Sequence, residues 1–263
     1  MPTNFHTHTY RCLHALGTEE EYVLEAIEQG VTTLGFSDHA PFPDHDFGLR
    51  MSYKELDDYI NAVEQSQQKH KDKIEIFKGL EIEYFPKYIN YYRELLEKRE
   101  LDYLALGEHM YITPKGHIHN IFFAESTADY IEYAAAVCEA IETGLFQFIA
   151  HPDVMFSNNY DWDENCDRAT EMIIDCAEKN DMILEYNANG IRKNLQAFND
   201  GIRYPYPHEK FWQAVSKTNI RVIVGSDCHS PQQVYDEYMR KAEQMSHRLK
   251  LNVIENIFDG KKL

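Results

Sequence analysis

Seven short apolar runs, each followed by an amphipathic segment, constrain this chain more than any other feature. The runs are Thr3–Thr7, Thr33–Phe36, Ile74–Ile82, Tyr103–Leu106, Gln147–Ala150, Met182–Tyr186 and Ile220–Val224. Strands buried on both faces read as near-continuous apolar stretches, and their alternation with helical segments is the pattern of βα units around a parallel sheet. Thr18 with Glu21 three residues on forms a capping-box pattern at the start of the first helix, and Gly30 is placed to end it. Further helices are expected over Ser52–His70, Lys87–Glu100, Thr127–Thr143, Asp163–Asn180, His208–Lys217 and Pro231–His247. No repeat or linker interrupts the 263 residues, so one α/β domain spanning 1–263 is expected, either a relative of the eight-fold TIM barrel or an open doubly wound sheet.

In both architectures chemistry gathers at the carboxyl ends of the strands, and six of the seven runs carry metal-type side chains there. The first ends in His6-Thr-His8, with His14 beyond. The second runs into Ser37-Asp38-His39, the third contains Glu81, the fourth ends Gly107-Glu108-His109, the fifth Ala150-His151-Pro-Asp153 and the seventh Gly225-Ser-Asp227-Cys-His229. Residues two apart on a strand share a face, so His6 with His8, and Asp227 with His229, can point into one cavity. Imidazole and carboxylate together suit Zn, Mn or Fe. Taken alone, any one of these histidines reads as a hydrogen-bonded or solvated residue; thirteen His in the chain and six strand ends in agreement point to a polynuclear site. Glu83 shares the strand face of Glu81 and rivals it as a ligand. Glu108, Asp38 and Asp153 read as acceptors for ligand N–H groups or as solvated loop acids.

Composition narrows the partners. With 26 Lys+Arg against 44 Asp+Glu, a net charge of −18, the chain does not suit nucleic acid held by phosphate neutralisation. An anionic substrate must find local positive charge. No apolar stretch approaches the roughly 20 residues that span a bilayer, and the opening Met1-Pro-Thr-Asn-Phe-His lacks the basic start and apolar core of a signal peptide. A cytoplasmic protein with neither membrane nor nucleic-acid partner is expected. The five Cys contain no C-x-x-C and form no disulfide framework.

The order H-x-H with a third His six residues later, S-D-H, a strand Glu, G-E-H, A-H-P-D and G-S-D-x-H resembles the PHP (polymerase and histidinol phosphatase) superfamily, over His6 to His229. Chain length and the segments Gly79-Leu-Glu81-Ile-Glu-Tyr84 and Asn187-Ala-Asn-Gly-Ile-Arg192-Lys193 are similar to its histidinol-phosphate phosphatases of the HisJ/HisK type. The resemblance implies a distorted (β/α)7 TIM-like barrel and three divalent transition-metal ions, of Zn, Mn or Fe. It places one ion on His6, His8, Glu81 and Asp227, a second on Glu81, His109 and His151, and a third on His14, His39 and His229, with Glu81 bridging. It implies hydrolysis of a small phosphomonoester, L-histidinol phosphate, by attack of a metal-bound hydroxide.

Arg192 follows the one strand end without a metal ligand, where a guanidinium can clamp phosphate, and it is the expected catalytic and substrate-binding cation. Lys193, Arg203 and Arg168 are weaker candidates. The loop from Asn194 to Pro207, with Phe122, Phe123 and Tyr111, reads either as the mouth that selects the organic group or as packing. One departure from the family pattern concerns the substrate. A basic residue generally follows the fifth-strand His-x-Asp soon after, whereas here no Arg or Lys stands between His151 and Arg168. Other small phosphomonoesters, phosphotyrosine, an exonuclease, a binuclear amidohydrolase and a catalytically silent metal-binding module remain as alternatives.

Overall fold

A computed structural model of the chain describes residues 2–259. Seven strands occupy the predicted apolar runs: β1 (Thr3–Asn4), β2 (Thr33–His39), β3 (Glu75–Ile82), β4 (Tyr103–Leu106), β5 (Phe148–Ile149), β6 (Ile183–Asn187) and β7 (Arg221–Gly225). They lie side by side in chain order, all parallel, and an eighth strand, β8 (Asn252–Val253), adds to β7. Between them lie α1 (Glu19–Glu28), α2 (Leu56–His70), α3 (Ile89–Glu97), α4 (Ala128–Glu142), α5 (Glu164–Lys179) and α6 (Glu209–Val215), with α7 (Glu237–Arg248) between β7 and β8. The capping box forms as expected, Thr18 N–H donating to Glu21 Oε2 at 2.7 Å, and Gly30 follows with φ +76°. Among the described residues no helix is long and apolar enough to cross a membrane.

The sheet curls until its first and seventh strands meet, but only at their carboxyl ends. Thr7 bridges Cys228 in parallel, with His8 N–H donating to Cys228 O at 3.1 Å. At the amino end β8 pairs with Arg221 and Val222, and Thr3 Oγ1 donates to Glu255 O at 2.7 Å, so the C-terminal segment fills the gap between β7 and β1. The result is a distorted TIM-like barrel, closed where the ligands are.

Period-two alternation then divides the interior. Outward positions such as Leu104, Leu106, Leu184, Tyr186, Val222 and Val224 pack under the helices. Inward positions change character along each strand. On β3 Phe77 gives way to Glu81, on β4 Tyr103 and Ala105 to Gly107, on β6 Ile183 to Glu185 and Asn187, and on β7 Ile223 to Gly225 and then Asp227. The amino half of the barrel is therefore an apolar plug of Phe5, Tyr103, Phe148, Ile183 and Ile223, capped by Ile257 and Phe258 from the C-terminal segment. The carboxyl half is polar, and it is buried.

Besides β8, two elements lie outside the predicted pattern. Antiparallel hairpins, Met110–Ile112 with Ile118–Asn120 and Gln196–Phe198 with Gly201–Arg203, follow β4 and β6. The second carries an Asn199-Asp200-Gly201 turn, a hairpin signal within a segment read only as a loop.

Candidate metal centre

The nine ligand-type residues named from sequence converge on one point at the carboxyl end of the barrel. Glu81 stands at its centre. Oε2 lies 3.0 Å from His39 Nδ1 and 3.5 Å from both His6 Nε2 and His8 Nε2. Oε1 faces the other way, 2.9 Å from His151 Nε2 and 3.6 Å from His109 Nε2. Asp227 Oδ1 sits 3.2 Å from His8 Nε2 and 3.7 Å from His6 Nε2. On the outer side His14 Nε2 and His229 Nε2 are 3.0 Å apart, and His39 completes that group. His39 belongs to two groupings, one with His14 and His229 and one with Glu81 and His109.

Burial makes this arrangement costly without a cation. His6 Nε2, both ring nitrogens of His8, Glu81 Oε2 and His151 Nδ1 are buried and have no hydrogen-bond partner. Each such group costs about 1–3 kcal/mol when left unpaired. Two donors on one ion, each at about 2.0–2.2 Å, stand a little over 3 Å apart, which is the spacing found between these atoms. The donor set is imidazole and carboxylate, and it fits divalent transition metals.

The ring orientations are fixed from behind. His6 Nδ1 donates to Glu185 Oε1 at 2.8 Å, His14 Nδ1 to Cys12 O at 2.8 Å, His229 Nδ1 to Asp227 O at 3.1 Å and His109 Nδ1 to Glu83 Oε1 at 3.3 Å. Each bond leaves Nε2 as the free lone pair, aimed inward. Glycines clear the space: a Cβ at Gly107 would overlap Glu81 Oε1, and one at Gly225 would overlap Glu185 Oε1. Two of the nine, His151 at φ +31° and Asp227 at φ +49°, hold left-handed backbone, strain of the kind that a surrounding site must enforce.

Several sequence readings change. Glu185 was not singled out, because strand six was read as carrying no ligand; an acid between Ile183 and Asn187 on the inward face was the available signal. Glu83 is held by Arg50 through two bonds of 2.9 and 3.0 Å and reaches the cluster only through His109. Of the three flanking acids, Asp38 faces a ligand, its Oδ1 3.6 Å from His8 Nδ1. Asp153 instead takes His208 N–H and Trp212 Nε1–H, tying the turn after β5 to α6, and Glu108 takes Tyr84 N–H.

Arg192 does not line the cavity over the cluster. It ends a four-residue helix, Asn189–Arg192, and its guanidinium is consumed by Asp236 (2.7 and 3.1 Å), Ser226 O, Ser226 Oγ and Gln233 O. Asp236 is also the N-cap of α7, so Arg192 locks the turn bearing Asp227 to that helix. The adjacent Lys193, ranked below it on sequence, does line the cavity of about 520 Å³ that opens over the cluster. Arg50, Asn120, Phe122 and Asn189 share that wall.

Without metal, the charges sort themselves by proton. Burial opposes the imidazolium of His8, but the neighbouring carboxylates of Asp227, Asp38 and Glu81 raise its pKa to about 9. His6 is likewise raised, against burial, by Glu185, Asp227 and Glu81. His229 falls to about 4, through burial and the charge of His8. At pH 7 His8 therefore holds a proton where a metal ion would sit.

Four outcomes follow. Calorimetric titration of the metal-free chain with Zn or Mn at pH 7, in buffers of different ionisation enthalpy, should show proton release, with affinity rising toward pH 9. Protonation of His8 stabilises the metal-free fold fully below about pH 6.5, and that contribution disappears as pH passes 9. The melting-temperature gap between metal-loaded and metal-free protein should accordingly widen over that window. Glu185→Gln should weaken metal affinity about 10- to 100-fold, read by competition with a chelator. Arg192→Met should cost about 2–4 kcal/mol in urea unfolding, since it strands Asp236.

Comparison with known proteins agrees with this geometry. Residues 4–189 match the family model of the PHP domain. The "Probable histidinol-phosphatase" of Deinococcus radiodurans is 29% identical over 235 residues, covering 87% of this chain and 86% of its own. The fold resembles HisK of Listeria monocytogenes, at a TM-score of 0.74 and 21% identity over 90% of this chain and 99% of that one. It also resembles the histidinol phosphate phosphatase of Lactococcus lactis solved with zinc, L-histidinol and phosphate, at a TM-score of 0.70 and 17% identity over 96% and 95% of the two chains. With most of its length matched, and the ligand-type residues gathered at the carboxyl end of a distorted barrel, the chain belongs to the PHP domain family.

Proposed function

We propose that this chain is a metal-dependent phosphomonoesterase that hydrolyses L-histidinol phosphate to L-histidinol and phosphate. It works as one domain, in the cytoplasm, on a small molecule rather than on nucleic acid or a membrane. The observation that carries the reading is the Glu81 carboxylate, whose two oxygens face separate sets of imidazoles beneath an open cavity. A bridging ligand needs two donor atoms, and only a carboxylate in this set has them to give. The relatives' names and the zinc, histidinol and phosphate held by the Lactococcus protein support the substrate.

In this reading His6, His8, Glu81 and Asp227 hold one ion, Glu81, His109 and His151 a second, and His14, His39 and His229 a third, with Zn, Mn and Fe all compatible. When bound, such ions supply Lewis acidity to the phosphoryl oxygens and lower the pKa of water toward neutrality. The chain's own contribution is to hold the donors still. Asn187 and Asn189 each donate to Asp227 Oδ2 at 3.2 Å, which leaves Oδ1 turned to His8. Glu185 fixes His6 and also accepts His151 N–H at 3.0 Å, so a single carboxylate sets two donors. A chain of net charge −18 can then attract a phosphate dianion, because local positive charge outweighs surface acids screened over about 8–10 Å.

Phosphate release from purified, metal-loaded protein tests this directly. L-histidinol phosphate should turn over far faster than sugar phosphates or phosphotyrosine, and equal rates would remove the substrate assignment. Asp227→Asn should lower turnover by more than about 100-fold with a parallel loss of bound metal. Absence of turnover on every phosphoester, with metal fully loaded, would favour a silent metal-binding module.

A further inference from the structure

Three cations lie on or beside the cavity wall, and two of them are spent. Arg50 is paired with Glu83, and Arg192 with Asp236. Lys193 differs. No carboxylate lies within ion-pair distance of it among the described residues, and its one polar side-chain partner is the Tyr206 hydroxyl, which accepts from Nζ at 3.0 Å. The ammonium also sits over two rings on the cavity wall, 4.8 Å from the centroid of Tyr206 and 6.0 Å from that of Phe122. Nζ therefore keeps two N–H groups with no protein acceptor among the described residues, although the residue itself stands at the mouth, partly in solvent.

Tyr206 adds a third donor. The residue is buried, and burial together with the charges of Asp227 and Glu185 holds its hydroxyl protonated well beyond the usual phenol range. Having accepted from Lys193, the phenol retains a hydrogen for which no acceptor is found among the described residues. Burial lowers the pKa of the Lys193 ammonium, with the charge of Asp227 opposing, and both side chains line the same cavity as Glu81, His151 and Asp227. An ammonium and a phenol, linked to each other and facing a cavity floored by metal ligands, form a donor set for an anion. The backbone beneath is fixed, because Arg192, one residue back, is bolted to Ser226, Gln233 and Asp236.

We propose that Lys193 is the side chain that contacts the phosphate of the substrate, and that Tyr206 positions it. This rests on the phosphomonoesterase reading and deepens it. It also accounts for the absence of Arg and Lys between His151 and Arg168, since the cation arrives from the β6 side of the barrel instead of the β5 side.

The test uses inorganic phosphate as the probe, so it does not depend on the organic part of the substrate. In metal-loaded protein, Lys193→Met should weaken phosphate binding about 10- to 100-fold by calorimetry and raise KM for histidinol phosphate, with metal content and melting temperature unchanged. Lys193→Arg should recover most of the affinity. Tyr206→Phe should lose less than Lys193→Met and should shift KM more than kcat. Wild-type affinity for phosphate in a fully metal-loaded Lys193→Met, alongside an active wild type, would overturn the role of Lys193 and leave the enzyme reading standing. A wild type that binds no phosphate and hydrolyses no phosphoester would overturn both.

Discussion

A buried carboxylate surrounded by imidazoles is the constraint on which this molecule turns. Glu81 lies at 1% exposure with five histidine rings within 3.6 Å, and in the absence of cations such a gathering of polar atoms opposes folding. The chain tolerates it because the donors are delivered from the carboxyl ends of six strands of one barrel, so they cannot withdraw without disturbing the sheet. Carboxylates behind the rings, Glu185 above all, supply the charge that keeps protons in the metal-free site and is countered by metal when it binds.

The same barrel separates stability from chemistry along its axis. Its amino half is packed with Phe5, Tyr103, Phe148, Ile183 and Ile223 and sealed by the C-terminal segment, and its carboxyl half is given over to polar groups. Rigid packing below is what lets strained backbone persist above, at His151 and Asp227. The Arg192 anchor extends this logic to the rim. A guanidinium that would have served as a ligand contact is used to tie the Asp227 turn to α7, and the neighbouring lysine is left to face the cavity.

Much of this was legible in the chain. The apolar runs marked the seven principal strands, because buried parallel strands leave an unbroken hydrophobic signature. The ligand-type residues at their carboxyl ends stood out, because His, Asp and Glu are rare in such settings. Glu185 escaped notice because the sixth strand was read as lacking a ligand, so the lone acid within its apolar run read as an exception to the pattern. β8 and the two hairpins were missed because segments of two or three residues carry almost no periodicity.

Arg192 and Lys193 show where the division falls. Local sequence determined that two cations, Arg192 and Lys193, follow β6; that a short helix carries the first of them is seen only in the fold. Successive side chains at a helical turn point about 100° apart, so only one of the two can face a given wall. Which one does so depends on how that turn docks, and the docking is decided by Asp236, Ser226 and Gln233, some 34 to 44 residues away. Periodicity and residue type are local properties that a sequence states outright; the direction of a side chain at a turn is set by partners that only the folded chain brings near.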